Sequence, residues 1–170
     1  LGVKVEDVDI VLGDTASVSH GTGTYASRGA VFGGGAGILA AKAVHEKILR
    51  VAGHLFEAAV EDIETGDGKV WVKGTDTSMT IRDLARALYS DMGRVPTEMR
   101  DEIDNLEATK VYDPFFGTTT SASHMCLIEI DPETYKVEIK SYIVVEDCGR
   151  VINPLIADGQ AHGGVAQGIG

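Results

Sequence analysis

The sequence is short of several features that mark particular classes of protein. Its 2 cysteines, Cys126 and Cys148, lie too far apart for a CxxC pair and allow one disulfide at most, so we expect a reducing, cytoplasmic compartment. No apolar run approaches the about 18 residues of a transmembrane helix, and no basic-then-apolar leader follows Leu1. The formal net charge of -11 argues against nucleic acid or an anionic membrane surface as a partner, because both require clustered Lys and Arg.

The composition that remains is that of a globular protein, with 44% hydrophobic and 24% charged residues. Glycine is the outlier, at 21 of 170 residues, and it is concentrated in a few stretches. Periodicity, capping and turn signals predict a strand at 8–13 and then a helical region at 30–62 that breaks near Gly53. A strand at 66–74 with a turn at 66–68 follows, and a short helix begins after a capping box at Thr80 and Asp83. The remaining predicted elements are a surface connection at 92–105, a strand at 108–114, and a hairpin with strands at 122–130 and 135–139. Strands and helices mix without regular βαβ alternation, so the sequence predicts an α+β or mixed α/β fold.

The stretch GTGTYA at residues 21–26 fits the dinucleotide fingerprint G-x-G-x-x-G/A. That fingerprint needs its first glycine directly after a strand, whereas 7 residues separate the motif from the preceding predicted strand. The acidic residue expected about 20 positions later would be Glu46, which lies inside the predicted helical region and not at the end of a strand. A Rossmann site for NAD is therefore disfavoured.

The same glycine-rich loop, residues 22–37, can be interpreted as an anion-binding loop. It offers unhindered backbone N–H groups, the hydroxyls of Thr24 and Ser27, the guanidinium of Arg28, and a helix start that favours negative charge. A flexible loop that leads into a closely packed helix explains these residues equally well. Arg28 likewise has two interpretations, as a partner of a pyrophosphate or as a brace that donates to backbone carbonyls.

The closing stretch, residues 144–170, combines glycines with amide, imidazole and thiol side chains. Gln160 and His162 have the spacing of one strand face, not of a helical zinc pair, and no metal site is predicted. Cys148 would need a base to act as a nucleophile, and all 5 histidines are distant in sequence, so a buried, unreactive thiol is the commoner outcome. Glu146 and Asp147 are adjacent on a predicted strand and therefore point to opposite faces, which disfavours a shared acid–base site.

Three stretches of the chain together carry a family resemblance. They are LGDTASVSHGTGTYASRG, VYDPFFGTTTSASHMCLIEIDPET and VEDCGRVINPLIADGQAHGGVAQGIG. In this order they resemble the large, molybdenum-bearing subunit of the xanthine oxidase and aldehyde oxidase family of molybdenum hydroxylases, and within it the aerobic carbon monoxide dehydrogenase branch. The resemblance spans essentially the whole chain but only a fraction of such a subunit. It implies that residues 1–170 form a single, partial molybdopterin-binding domain of a longer chain.

The resemblance also implies a cofactor and the residues that hold it. The family binds molybdopterin, often as its cytosine dinucleotide, and the dithiolene of the cofactor holds the molybdenum. The protein therefore contributes backbone and hydroxyl contacts and few or no metal ligands. Glycine-rich loops allow the close approach that such a flat group needs. By similarity, Tyr25 and Ala26 lie nearest the metal and substrate, while the amide of Gln160 hydrogen-bonds the cofactor. The cofactor-binding residues implied are Thr24, Tyr25, Ala26, Ser27, Arg28, Gly29 and Gln160; those implied to support the backbone near Gln160 are Asp147, Cys148, Arg150 and Asn153.

The implied activity belongs to a larger assembly. The family is a group of oxidoreductases in which a glutamate downstream of QGIG acts as the base, so no catalytic residue is expected within this chain. Implied partners are the rest of the large subunit and the iron–sulfur and FAD subunits. The substrate stays open among carbon monoxide, aldehydes, purines and other heterocycles, and Cys126 and Cys148 do not match a copper-binding cysteine. Alone, the chain is expected to be inactive, to hold no cofactor and to self-associate. The alternative is a non-enzymatic module that keeps the fold and binds a partner.

Overall fold

Helices and short antiparallel strands are mixed along the chain, which confirms the prediction of an α+β fold. The computed structural model describes residues 1–18, 21, 23–91, 93–114 and 119–170. The chain divides into two units, Leu1–Phe115 and Phe116–Gly170. Within these described ranges, no helix is both long enough and apolar enough to cross a membrane.

The described part of the first unit contains three α-helices and one small sheet. The strands β1, β2 and β3 are antiparallel and follow one another in that order across the sheet. Short 3-10 turns occupy Val5–Asp7 and Val60–Asp62. The regular elements, in chain order, are α1 (Gly29–Phe56), β1 (Ile63–Gly66), β2 (Lys69–Val72), β3 (Ser78–Thr80), α2 (Ile81–Tyr89) and α3 (Thr97–Ile103).

The long helix α1 buries only its C-terminal half, where Ile48, Val51 and Ala52 join the core. It ends where Glu57 adopts a left-handed conformation (φ 54°) and donates its N–H to the carbonyls of Gly53 and His54. The predicted extension to residue 62 and the predicted break at Gly53 are therefore wrong. Gly53 is itself buried in the last turn, and a Cβ there would lie 3.1 Å from the Ala58 carbonyl oxygen, so this glycine serves packing.

Two local signals in the sequence are confirmed by the structure. Asp67 and Gly68 both have positive φ (47° and 73°) in the turn between β1 and β2, as the favoured two-residue hairpin turn requires. Thr80 Oγ1 accepts a hydrogen bond from the Asp83 N–H at 3.0 Å, which caps the first turn of α2. The helix then buries Leu84 and Leu88 in the core.

Three of the predicted elements between residues 8 and 114 are not found. The connection at 92–105 contains helix α3, because Val95 and Ile103 are buried (2% and 1% exposed) and anchor that segment among its charged residues; Met92 lies outside the described residues. The segments 8–13 and 108–114 form no strand, since neither has a pairing partner within the described parts of the chain.

The segment that follows α3 packs on the first half of α1 at Gly35. A Cβ added to Gly35 would lie 2.5 Å from Cγ of the Tyr112 ring, closer than real Cβ contacts, so glycine is required there. In contrast, a Cβ on the neighbouring Gly34 would meet no described atom within 4 Å. The two adjacent glycines thus occupy opposite environments in one helix.

Substituting these two glycines should change stability in opposite directions. Gly35→Ala is expected to lower the free energy of unfolding by about 1–3 kcal/mol, because overpacking against Tyr112 outweighs the better helix propensity of alanine. Gly34→Ala, the matched control, should raise it by up to about 1 kcal/mol through propensity alone. Urea denaturation followed by circular dichroism measures both; equal shifts for the two variants would contradict the packing at Gly35.

The second unit is a long hairpin followed by a helix. Strands β4 (Ser121–Ile130) and β5 (Val137–Asp147) pair antiparallel with an irregularity at Leu127/Ile128. Asp131 closes the turn, because its Oδ1 accepts from the N–H groups of Thr134 (2.9 Å) and Glu133 (2.8 Å). The same two bonds hold the pKa of the Asp131 carboxyl below its ordinary value. The predicted hairpin is confirmed.

Helix α4 (Pro154–Ile169) follows the hairpin, and the prediction of a strand-like face for Gln160 and His162 is wrong. Asn153 Oδ1 accepts from the Ile156 N–H at 3.4 Å, and proline occupies the first turn, where its missing N–H is harmless. Residues two apart on a helix point about 200° from each other, so the two side chains leave opposite sides of α4.

Helix α4 contains four glycines despite its helical conformation. Each glycine is about 0.8–1.0 kcal/mol less favourable than alanine inside a helix. A Cβ at any of them would meet no described atom within 4 Å, so contacts within the described chain do not explain them; they are Gly159, Gly163, Gly164 and Gly168.

Candidate functional site

The six neighbouring residues predicted to bind a cofactor, 24–29, form one tight turn at the start of α1. Ala26 and Ser27 are consecutive and both left-handed, with φ of 52° and 54°. For a residue with a Cβ this conformation costs about 1–2 kcal/mol, and such strain is concentrated at functional sites. Arg28 returns to a helical conformation (φ -86°), and α1 begins at Gly29.

Contacts within the turn hold it closed. The Thr24 side chain packs on Gly29 so closely that an added Cβ would lie 3.0 Å from Thr24 Oγ1. The Arg28 N–H donates to the Tyr25 carbonyl at 3.4 Å, and the Arg28 side chain reaches back to donate through Nη2 to the Gly23 carbonyl at 3.4 Å. The bracing interpretation of Arg28 therefore has a contact in the structure.

The N-terminus of α1 has the features of an anion site. Among the described residues no side chain caps it, and its first turn carries no acidic residue. The hydroxyl-bearing residues Thr24 and Ser27 are exposed beside it. The free N–H groups and the positive end of the helix dipole both favour a negatively charged group.

The predicted anion-binding loop is shorter than residues 22–37. From Phe32, whose N–H donates to the Arg28 carbonyl at 3.0 Å, the backbone N–H groups lie inside α1 and are used by the helix. Thr22, where the predicted loop begins, lies outside the described residues. Three glycines in the first half of α1 border open space, because a Cβ added to any of them would meet no described atom within 4 Å. They are Gly33, Gly34 and Gly37.

Gln160 lies on α4, in the second unit, and its side chain is exposed. The backbone that leads to it is supported as predicted by Asp147 and Asn153. Asp147 Oδ1 accepts from the Gly149 N–H at 2.9 Å, where Gly149 has φ 70°, and Asn153 caps α4. These two residues therefore have local structural roles.

A cavity of about 700 Å³ between β5 and α4 was missed by the sequence reasoning. Cys148 and His162 both line it, although they are 14 positions apart in the sequence. The expectation of a buried thiol is wrong, because Cys126 and Cys148 are both free and exposed. Within residues 1–18, 21, 23–91, 93–114 and 119–170, no group of three His, Cys, Asp or Glu side chains has the geometry of a metal site.

Comparison with known proteins identifies the family. All of residues 1–170 match the family model of the molybdopterin cofactor-binding domain. The chain belongs to this family. The resemblance to molybdenum hydroxylase large subunits is thereby confirmed.

Relatives of this molybdopterin-binding domain include the large subunit of nicotine 6-hydroxylase from Paenarthrobacter nicotinovorans, 37% identical over 100% of this chain and 21% of the relative. The large chain of carbon monoxide dehydrogenase from Hydrogenophaga pseudoflava is 33% identical over 99% of this chain and 20% of the relative. Among solved structures, quinoline 2-oxidoreductase from Pseudomonas putida 86 superposes with a TM-score of 0.70 and 42% identity, covering 87% of this chain and 19% of that one. The domain thus spans about one fifth of the length of these relatives.

Proposed function

We propose that residues 1–170 are a partial molybdopterin-binding domain of a molybdenum hydroxylase large subunit, and that the assembled subunit is an oxidoreductase. The observation that carries the proposal is the strained turn at Ala26 and Ser27 in front of the uncapped N-terminus of α1. A turn that stores strain and directs N–H groups outward is suited to a ligand with negatively charged and polar edges.

The described residues fit the polar periphery of molybdopterin. In this proposal the backbone N–H groups at the start of α1 and the Ser27 hydroxyl bind polar and phosphate oxygens of the cofactor, and Gly29 and Thr24 keep the turn closed. The amide of Gln160 donates to the cofactor from α4. Tyr25 and Ala26 face the substrate side. The bound cofactor would supply the molybdenum centre at which the substrate is oxidised, and its dithiolene would hold the metal without a ligand from this chain.

The cytosine dinucleotide form is the preferred cofactor in this proposal. Its pyrophosphate adds negative charge, and the positive end of a 28-residue helix with no acidic residue in its first turn would stabilise that charge. The base glutamate, the remaining walls of the site, and the iron–sulfur and FAD subunits lie in other parts of the assembly. Two exposed, free thiols fit a reducing, cytoplasmic environment.

An aromatic nitrogen heterocycle is the substrate class we favour for the assembled enzyme. The identities of 37% and 42% are to proteins named for nicotine and quinoline, against 33% for a carbon monoxide dehydrogenase chain. Tyr25 is 60% exposed, and its ring supplies a flat apolar surface against which such a heterocycle can stack.

The decisive experiment replaces Gln160 in the full-length subunit. Gln160→Leu should lower bound molybdenum and cytidine nucleotide while the fold is retained, since losing one amide contact weakens binding by about 1–3 kcal/mol. Gln167→Leu is the matched control, because the same change two turns along α4 lies about 10 Å away and cannot make the same contact. Metal analysis and nucleotide release quantify both, and unchanged cofactor content in Gln160→Leu would refute the assignment.

A further inference from the structure

The guanidinium of Arg28 lies close to two aromatic rings. Its guanidinium carbon lies 3.7 Å from the centroid of the Tyr25 ring and 5.0 Å from that of Phe32. Both distances are within the about 6 Å over which a cation is attracted to a ring face. Together with the Nη2 donation to the Gly23 carbonyl, these contacts hold the guanidinium against described groups of the first unit.

The burial of the two partners differs. Arg28 is partly buried while Tyr25 remains 60% exposed, so the guanidinium is covered by the ring and the ring presents its remaining surface to solvent. Tyr25 directly precedes the two left-handed residues Ala26 and Ser27, so its backbone enters a strained turn. A side chain on such a turn needs a packing partner to keep one orientation, and the described contact that supplies it is with Arg28.

We propose that Arg28 is a positioning residue that holds the Tyr25 ring as a fixed wall on the substrate side of the site. In this role Arg28 does not pair with a phosphate of the cofactor. This proposal rests on the proposed function, in which the 24–29 turn lines the molybdopterin site. The property of Arg28 that matters is then its planar, stacking, hydrogen-bonding group, and not its charge alone.

Two substitutions separate planarity from charge. Arg28→Gln keeps a planar, hydrogen-bonding group on a shorter side chain and removes the charge. Arg28→Lys keeps the charge and loses the plane. Arg28→Ala removes both, and Arg82→Ala, an exposed arginine of α2, controls for loss of a surface charge.

The first measurement is the rate of nitration of Tyr25 by tetranitromethane in the 170-residue chain, followed by peptide mass spectrometry. Tyr135, 78% exposed, serves as the internal reference in the same sample. Arg28→Ala should raise the relative rate at Tyr25 by about two- to fivefold, the change expected when an arginine stacked on an exposed ring is removed. Arg28→Gln should raise it less than Arg28→Lys, and Arg82→Ala should leave it unchanged. An unchanged rate in Arg28→Ala would overturn the positioning role.

The second measurement is molybdenum content of the full-length subunit, purified at low and at high salt. In the positioning role Arg28→Gln retains as much molybdenum as the unsubstituted subunit at both salt concentrations. If Arg28 instead pairs with a phosphate, Arg28→Lys should retain the cofactor and Arg28→Gln should lose it, with a larger loss at high salt. That order would also overturn the proposal. Failure of the proposed function would give a different result. Gln160→Leu and Ser27→Ala would then keep full molybdenum content, while the nitration rates would still report the contact between Arg28 and Tyr25.

Discussion

The isolated 170-residue chain is expected to bind no molybdenum cofactor tightly and to oxidise no substrate. In the proposed function it supplies only the turn at 24–29 and the wall around Gln160, so the remaining polar edges of the cofactor would face water while the entropic cost of ordering it persists. The base would be absent as well, and losing a general base alone costs about 10²–10⁴ in rate.

Elemental analysis for molybdenum, and dye reduction with nicotine, quinoline, aldehydes, purines and carbon monoxide, test this expectation. The full-length subunit produced in the same host is the control for cofactor supply. The same preparation should self-associate at micromolar concentration, because the apolar side chains of one hairpin face are exposed, among them Met125 (62%), Leu127 (61%) and Val145 (67%). Stoichiometric molybdenum or any turnover by the isolated chain would contradict the proposed division of the site.

Leu84→Ala should lower the free energy of unfolding of the first unit by about 2–5 kcal/mol. Leu84 is fully buried (0% exposed) and belongs to the same hydrophobic core cluster as Val51 of α1 and Val70 of β2. The substitution removes apolar contacts and leaves a cavity that surrounding side chains fill only in part. Leu12→Ala makes the same chemical change at a residue that is 85% exposed, and it should shift stability by less than about 0.5 kcal/mol.

Fluorescence of Trp71 provides the readout for this pair of variants. Trp71 is the 1 tryptophan of the chain, and it lies on β2, where its indole N–H donates to Glu64 Oε2 at 3.0 Å. Urea titrations of the two variants and of the unsubstituted chain give the differences directly. Similar midpoints for Leu84→Ala and Leu12→Ala would contradict the core placed around Leu84.

The parts of the fold that were predicted correctly are those with a chemical signal in a few adjacent residues. The capping box at Thr80 and Asp83 and the hairpin turns at 66–68 and 131–134 need only local backbone and side-chain geometry. Strand formation at 8–13 and 108–114 depends on a partner elsewhere, which alternation alone does not reveal. Helix α3 was missed because its one buried residue, Ile103, follows several charged residues, and the other buried residue nearby, Val95, lies before the helix.

The site was predictable only in part, for a similar reason. Resemblance predicted that the residues at 24–29 contact the cofactor, and the structure brings them into one turn. The left-handed backbone at Ala26 and Ser27 has no sequence signal, because neither residue prefers that conformation as glycine does. The cavity that Cys148 and His162 both line depends on the position of α4 beside β5, and the four glycines of α4 weakened the sequence signal for a helix.

The glycines of α4 also lower the stability of this helix before other parts of the protein cover it. Four of them together weaken the helix by about 3–4 kcal/mol relative to alanine, and a helix of 16 residues is already marginal in water on its own. Its amide hydrogens should therefore exchange with deuterium faster than those of β4 and β5 until a neighbouring surface covers the glycines. In the proposed function, the segment that carries Gln160 would therefore become rigid only after the rest of the subunit covers α4.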